Sequence, residues 1–207
     1  MHRLSGFPSV IYDTNCLVHY CFLVEVLVSG SKVTISDTLT MHTRQITEAL
    51  KRNQQKVTTI QAAYDELRNA ISGAVWRRLS HRAVEAQLGY LQGQHVPDQI
   101  KLQVMRNAER HVRRLETKTW FFVNTQFSAA TRSLAALRRF FDCQPPEAFG
   151  RASVPGEVDL ALINFGYQSQ SPLVTDDTGI FRFSAPLHTA GLAFHIFNLR
   201  DITLPPV

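Results

Sequence analysis

The sequence predicts an α/β fold: a mostly parallel sheet flanked by helices, with a long basic α-helical insertion. Three observations carry this reading. Short apolar, β-prone runs alternate with helical patterns at both ends of the chain. The middle, residues 73–142, shows helical periodicity and no strand pattern. With 207 residues, 44% of them hydrophobic, the chain can bury one core that carries a sizeable insertion. It is therefore read as a single domain, 1–207, with the helical insertion 73–142 inside it.

Each element follows from local chemistry. Residues 9–12, Ser-Val-Ile-Tyr, form an apolar run that stops at Asp13-Thr14-Asn15, a triplet suited to ending a strand and capping a helix. Asp13 is thus expected at a strand's C-terminal tip. Residues 22–35 are rich in β-branched side chains around Ser29-Gly30-Ser31, which leaves both a hairpin and a helix followed by a strand open. A helix is predicted over 38–53 and a buried strand over 56–60, then a helix through Ala62, Leu67 and Ile71 that carries Glu66 near its start. Helical patterns continue at 75–91, 98–117 and 128–141. Pro145-Pro146 breaks the run, and Pro155-Gly156 opens a helix over 158–166 with Asp159 in its first turn. Residues 173–175 make a buried strand ending at Asp176-Asp177, and 192–197 a last strand before a Pro-rich tail.

Lys and Arg number 22 against 17 Asp and Glu, a net charge of +5 that suits a polyanionic partner. The excess is local, because thirteen of the basic residues and only five acids fall between Leu67 and Asp142. Cys16, Cys21 and Cys143 make an odd count with no CxxC pair, which fits a reducing compartment, so a cytoplasmic location is expected. The N-terminal residues lack the apolar run of a secretory signal. Asp13, His19 and Glu25 interrupt the most apolar window, 10–28, so no membrane span is expected. No HExxH, GxxxxGK[ST] or GxSxG motif occurs, which removes metalloprotease, P-loop and serine-hydrolase readings. His19 and His111 are expected to pack or to face solvent.

Asp13 and the pair Asp176-Asp177 follow strand ends, while Glu66 and Asp159 sit on helices beside strands. Parallel α/β sheets bind ligands beyond the carboxyl ends of their strands. Carboxylates converging there repel and raise one another's pKa unless a cation neutralises them. Oxygen-only ligands select a hard ion, Mg²⁺ or Mn²⁺, which can hold a phosphodiester and activate water. Singly, each acid is as well explained by a helix cap or a solvated face. The ordered set of four is what points to a site.

Val10-Ile-Tyr-Asp13-Thr-Asn15, Ile60-Gln-Ala-Ala-Tyr-Asp-Glu66-Leu67, Gly156-Glu-Val-Asp159-Leu-Ala-Leu-Ile163 and Leu173-Val-Thr175-Asp-Asp177 resemble, in order, the four motifs of PIN-domain nucleases. Many members are VapC-type toxins of toxin–antitoxin pairs. The resemblance implies a PIN-like fold and a metal-dependent endoribonuclease that hydrolyses RNA phosphodiester bonds, leaving a 5′-phosphate. It implies catalytic and metal-binding roles for Asp13, Glu66, Asp159 and Asp177, with Asp176 as a further ligand. Asn15 and Thr175 would orient a carboxylate or the attacking water. RNA is the implied substrate, and an antitoxin protein and a homodimer are the implied partners. Related folds cleave DNA flaps, so a structure-specific DNA nuclease is the alternative enzyme, and a non-catalytic nucleic-acid- or protein-binding module the alternative from another class. The interval between Glu66 and Asp159 is longer than in compact toxin members.

On a helix over 98–117 with Lys101 at zero, Arg106, Arg110, Arg113 and Arg114 fall at about 140°, 180°, 120° and 220°. Val104, Met105, Ala108, Val112 and Leu115 fall on the opposite side. The four guanidinium groups are the expected phosphate-binding surface, supplying affinity without base readout. Trp76, Trp120, Phe121 and Phe122 are the candidates for stacking on bases, although aromatics in apolar runs are usually core.

Overall fold

A computed structural model describes residues 4–28, 31–79 and 96–203. Five strands form one parallel sheet: β1 (Ser9–Tyr12), β4 (Lys56–Ile60), β5 (Phe121–Asn124), β6 (Leu173–Thr175) and β7 (Ile196–Asn198), in the order β5-β4-β1-β6-β7. β1 is central because its three apolar residues serve two faces. Val10 and Tyr12 pack into one core and Ile11 into the other, the period-two alternation of a strand covered on both sides. Val174 and Leu173 of β6 divide in the same way.

The first core is closed by α1 (Thr14–Cys21), α2 (Thr38–Arg52), α3 (Gln61–Leu79) and α4 (Asp98–Leu115). The second is closed by α5 (Thr131–Asp142), the one-turn α6 (Pro146–Phe149), α7 (Glu157–Ser169), α8 (Thr178–Phe181) and α9 (Ser184–Thr189). Within 22–35, open in the sequence, β2 (Val24–Val28) and β3 (Ser31–Ile35) pair antiparallel outside the main sheet. Asp37 starts α2 by accepting the Thr40 N–H at 2.7 Å, and Asn53 ends it before Gln54 turns left-handed at φ 58°.

Two sequence expectations are corrected. The segment 73–142 is not wholly helical, because residues 121–124 form β5 and extend the sheet, pairing Val57 with Phe121 through Ile60 with Asn124. A four-residue run between helices carries little periodicity, and the exposed edge of β4 is what turns it into a strand. Nor does the chain break after Ser72: α3 runs unbroken through Gly73. Glycine there costs about 1 kcal/mol relative to alanine, and burial of Leu67, Ile71, Val75 and Leu79 along one face outweighs it. The helical pattern expected over 75–91 is thus the end of α3 as far as Leu79, and 80–91 lie outside the described residues.

The topology positions the site. β4 and β5 lie to one side of β1 and β6 and β7 to the other, so the carboxyl ends of β1 and β6 flank a topological switch point. Among the described residues no helix is long and apolar enough to cross a membrane.

A candidate carboxylate cleft at the sheet's carboxyl edge

Asp13 leaves β1 as the N-cap of α1, its Oδ1 accepting the Cys16 N–H at 2.6 Å. The cap has a second consequence, since it pins the carboxylate at the strand tip with only 2% of the residue exposed. Its Oδ2 accepts from the Thr175 hydroxyl at the end of β6. Thr175 in turn accepts the Asp177 N–H at 2.9 Å. One hydroxyl therefore ties the ends of the two central strands together. Burial pushes the Asp13 carboxyl above its ordinary range, and the bonds from Thr175 and Cys16 oppose that shift.

Three further carboxylates come to the same place from separate elements. Asp13, Glu66 of α3, Asp159 of α7 and Asp177 after β6 all line one cleft of about 400 Å³, together with Thr14, Asn15, Val18, Ala70, Ala74 and Arg77. Each is steadied by a local donor. Thr14 donates its hydroxyl to Glu66 at 2.5 Å, the Gly156 N–H reaches Asp159 at 2.8 Å, and the Gly179 N–H reaches Asp177 at 2.6 Å. Gly179 is required at its position: a Cβ there would lie 2.5 Å from the Ser153 carbonyl oxygen and 3.0 Å from Asp177 Oδ1.

The electrostatics record the crowding. Asp159 has its pKa pushed up to about 6, first by burial and then by the charges of Asp177, Asp13 and Glu66, against the pull of the Gly156 N–H. Oxygen donors of this kind match a hard divalent cation, which would relieve that repulsion. As they stand, no group of three or more His, Cys, Asp and Glu side chains among the described residues is gathered tightly enough to hold a metal ion. The chemistry of the donor set, oxygen only, fits Mg²⁺ or Mn²⁺.

Asp176 is a correction. Although adjacent to Asp177, it does not line the cleft: Arg200 grips it with Nε at 2.7 Å and Nη2 at 3.1 Å, and His19 Nε2 lies 3.3 Å from Oδ2. Partial burial opposes its ionisation, but the bonds from His19 and Arg200 outweigh burial and hold its carboxyl below the usual range. Successive residues leaving a strand diverge, and Asp176 goes to the cation side. Glu157, the other acid of the third motif, pairs with Arg138.

The arginines of α4 are exposed as their helical spacing predicts, with Val104, Ala108, Val112 and Leu115 buried on the opposite face. They are nevertheless elsewhere: among the described residues that line the carboxylate cleft, none comes from α4. Arg113 instead lines a second cleft, between α3 and α4, with Arg68, Asp65, Asn69 and Glu109. Of the aromatics, Phe121 is buried and Trp120 packs on Tyr20 at 5.2 Å, while Phe122 and Trp76 are exposed, Trp76 beneath the Lys101 ammonium at 4.5 Å.

Sequence reasoning passed over Thr14, Gly179 and Arg77. A signal existed for Arg77: counted from Glu66, Ala70, Ala74 and Arg77 lie at about 40°, 80° and 20° around α3, one stripe on one face. No protein-family model matches the chain, and no curated protein matches it.

Proposed function

We propose that the chain is a PIN-like, Mg²⁺- or Mn²⁺-dependent endoribonuclease. The observation that carries this reading is the convergence of Asp13, Glu66, Asp159 and Asp177 from four separate segments on one cleft at the sheet's switch point. A bound divalent cation would supply charge neutralisation and an activated water. The chain's own residues do the rest. Thr175 and the Cys16 N–H hold Asp13 with its two oxygens aligned, and Thr14 fixes Glu66 from the opposite wall. Asp159, whose pKa is raised first by burial and then by the charges of Asp177, Asp13 and Glu66, would be eased toward its ionised form by a cation. Asn15 lines the same cleft and is the candidate for orienting a water. The exposed arginines Arg106, Arg110, Arg113 and Arg114 lie outside it and add long-range attraction for RNA.

One rival has an observation of its own. Each carboxylate accepts a hydrogen bond from within the chain, a local anchoring that a binding module of the same fold would also have. RNA as substrate, an antitoxin and a homodimer are carried by the motif resemblance alone.

The test is cleavage of a labelled single-stranded RNA and a matched DNA in Mn²⁺ and in EDTA, by the protein and by Asp13→Asn. Metal-dependent RNA cleavage that the substitution abolishes supports the ribonuclease. Preference for DNA moves the reading to a DNA nuclease. Inactivity on both, with no Mn²⁺ binding in calorimetry, moves it to the binding module.

A further inference from the structure

A polyanionic strand entering a cleft lined by four carboxylates meets repulsion everywhere except where cations sit. Metal ions at the carboxylates would balance the reacting phosphate, but not its neighbours along the strand. Among the described residues, the basic side chain in the cleft lining is Arg77, exposed and near the C-terminal end of α3. It lies about 20° round the helix from Glu66 and about 16 Å along it, eleven residues at 1.5 Å each. Between them the wall is Ala70 and Ala74, too short to block the path, with Val18 also in the lining.

We propose that Arg77 binds a backbone phosphate of the nucleic-acid strand, more than one nucleotide from the bond that is cut, and so sets the direction in which the strand enters. This rests on the nuclease reading above. A guanidinium suits the role because it stays charged and offers paired N–H donors to a phosphate. None of the α4 arginines is in the lining of this cleft.

The experiment compares Arg77→Ala and Arg77→Lys with the unsubstituted protein on two substrates in Mn²⁺: a short oligouridylate, and bis(p-nitrophenyl) phosphate, which has no flanking phosphate. Binding of the same labelled oligouridylate in EDTA is followed across a salt series. Arg132→Ala, an exposed site on α5, removes the same charge elsewhere. Arg77→Ala is expected to raise the KM for the oligonucleotide about tenfold and to flatten the salt dependence of binding by about one unit of slope. Turnover of the small diester and the behaviour of Arg132→Ala should stay at the reference level, and Arg77→Lys should recover part of the loss. If the protein cleaves RNA and Arg77→Ala leaves KM and slope unchanged, or slows the small diester equally, the proposal is overturned while the nuclease reading survives. If nothing is cleaved but Arg77→Ala still weakens binding with the shallower slope, the strand path stands and the nuclease reading falls. A protein that neither cleaves nor binds the oligonucleotide overturns both.

Discussion

Two clefts lie on either side of α3, and their charges are arranged in opposite ways. On the side between α3 and α4, Asp65 and Glu109 share the lining with Arg68 and Arg113, two acids with two bases. On the other side, Asp13, Glu66, Asp159 and Asp177 share theirs with Arg77, four acids with one base among the described residues. A balanced, solvated seam of the first kind contributes little and asks for nothing. In the second, burial first and then the charges of Asp177, Asp13 and Glu66 raise the pKa of Asp159, and a cation would offset that shift. An uncompensated cluster held in place by caps is therefore the better functional candidate, even though the balanced cleft is larger, about 620 Å³ against about 400 Å³.

The comparison can be broken or sharpened in order of expected effect. Asp13→Asn or Asp177→Asn should lower cleavage by about a thousandfold, several kcal/mol of transition-state stabilisation, read in single-turnover assays; undiminished cleavage by either would remove the carboxylates from the mechanism. Gly179→Ala should cost about 1–3 kcal/mol in urea unfolding and reduce cleavage too, because the Ser153 carbonyl is backbone and cannot step aside. A fully stable, fully active variant would mean that the turn holding Asp177 is free to shift.

Asp159→Asn should act in the opposite sense on stability. The acid is harder to ionise folded than unfolded, so the metal-free protein should lose stability as pH rises from about 4 to about 6. The amide can still accept the Gly156 N–H and carries no charge. Near neutral pH the variant should unfold about 1–2 kcal/mol later than the metal-free parent, and it should lose most of the rise in Tm that Mn²⁺ gives the parent. A metal-free variant less stable than the parent would show that the crowding is not a cost. Last and smallest, reversing Arg110, Arg113 and Arg114 should slow association with RNA at low salt while leaving kcat unchanged. A drop in kcat would instead carry the reacting strand across α3 to α4.

The adjacent pair Asp176 and Asp177 shows where local reading ends. Both follow the same strand and both are acids, yet their partners differ. Arg200 and His19, remote in sequence, claim Asp176, while the Thr175 hydroxyl and Gly179 turn Asp177 into the cleft. The same holds for β5, whose four residues become a strand only because β4 offers an edge.

From the sequence alone came what depends on neighbours along the chain. The strands β1, β4 and β6 were legible in their apolar runs, Asp13 in its capping triplet, the buried face of α4 in its period, and the α/β class in the alternation of elements. Tertiary structure alone decided which charges share a space. Of the expected phosphate-binding arginines, Arg113 lines the cleft between α3 and α4, none lines the carboxylate cleft among the described residues, and Arg77 does. Periodicity gives the direction of a side chain from its own helix axis. What stands opposite it depends on how that helix packs, a long-range outcome that burial of the two cores determines.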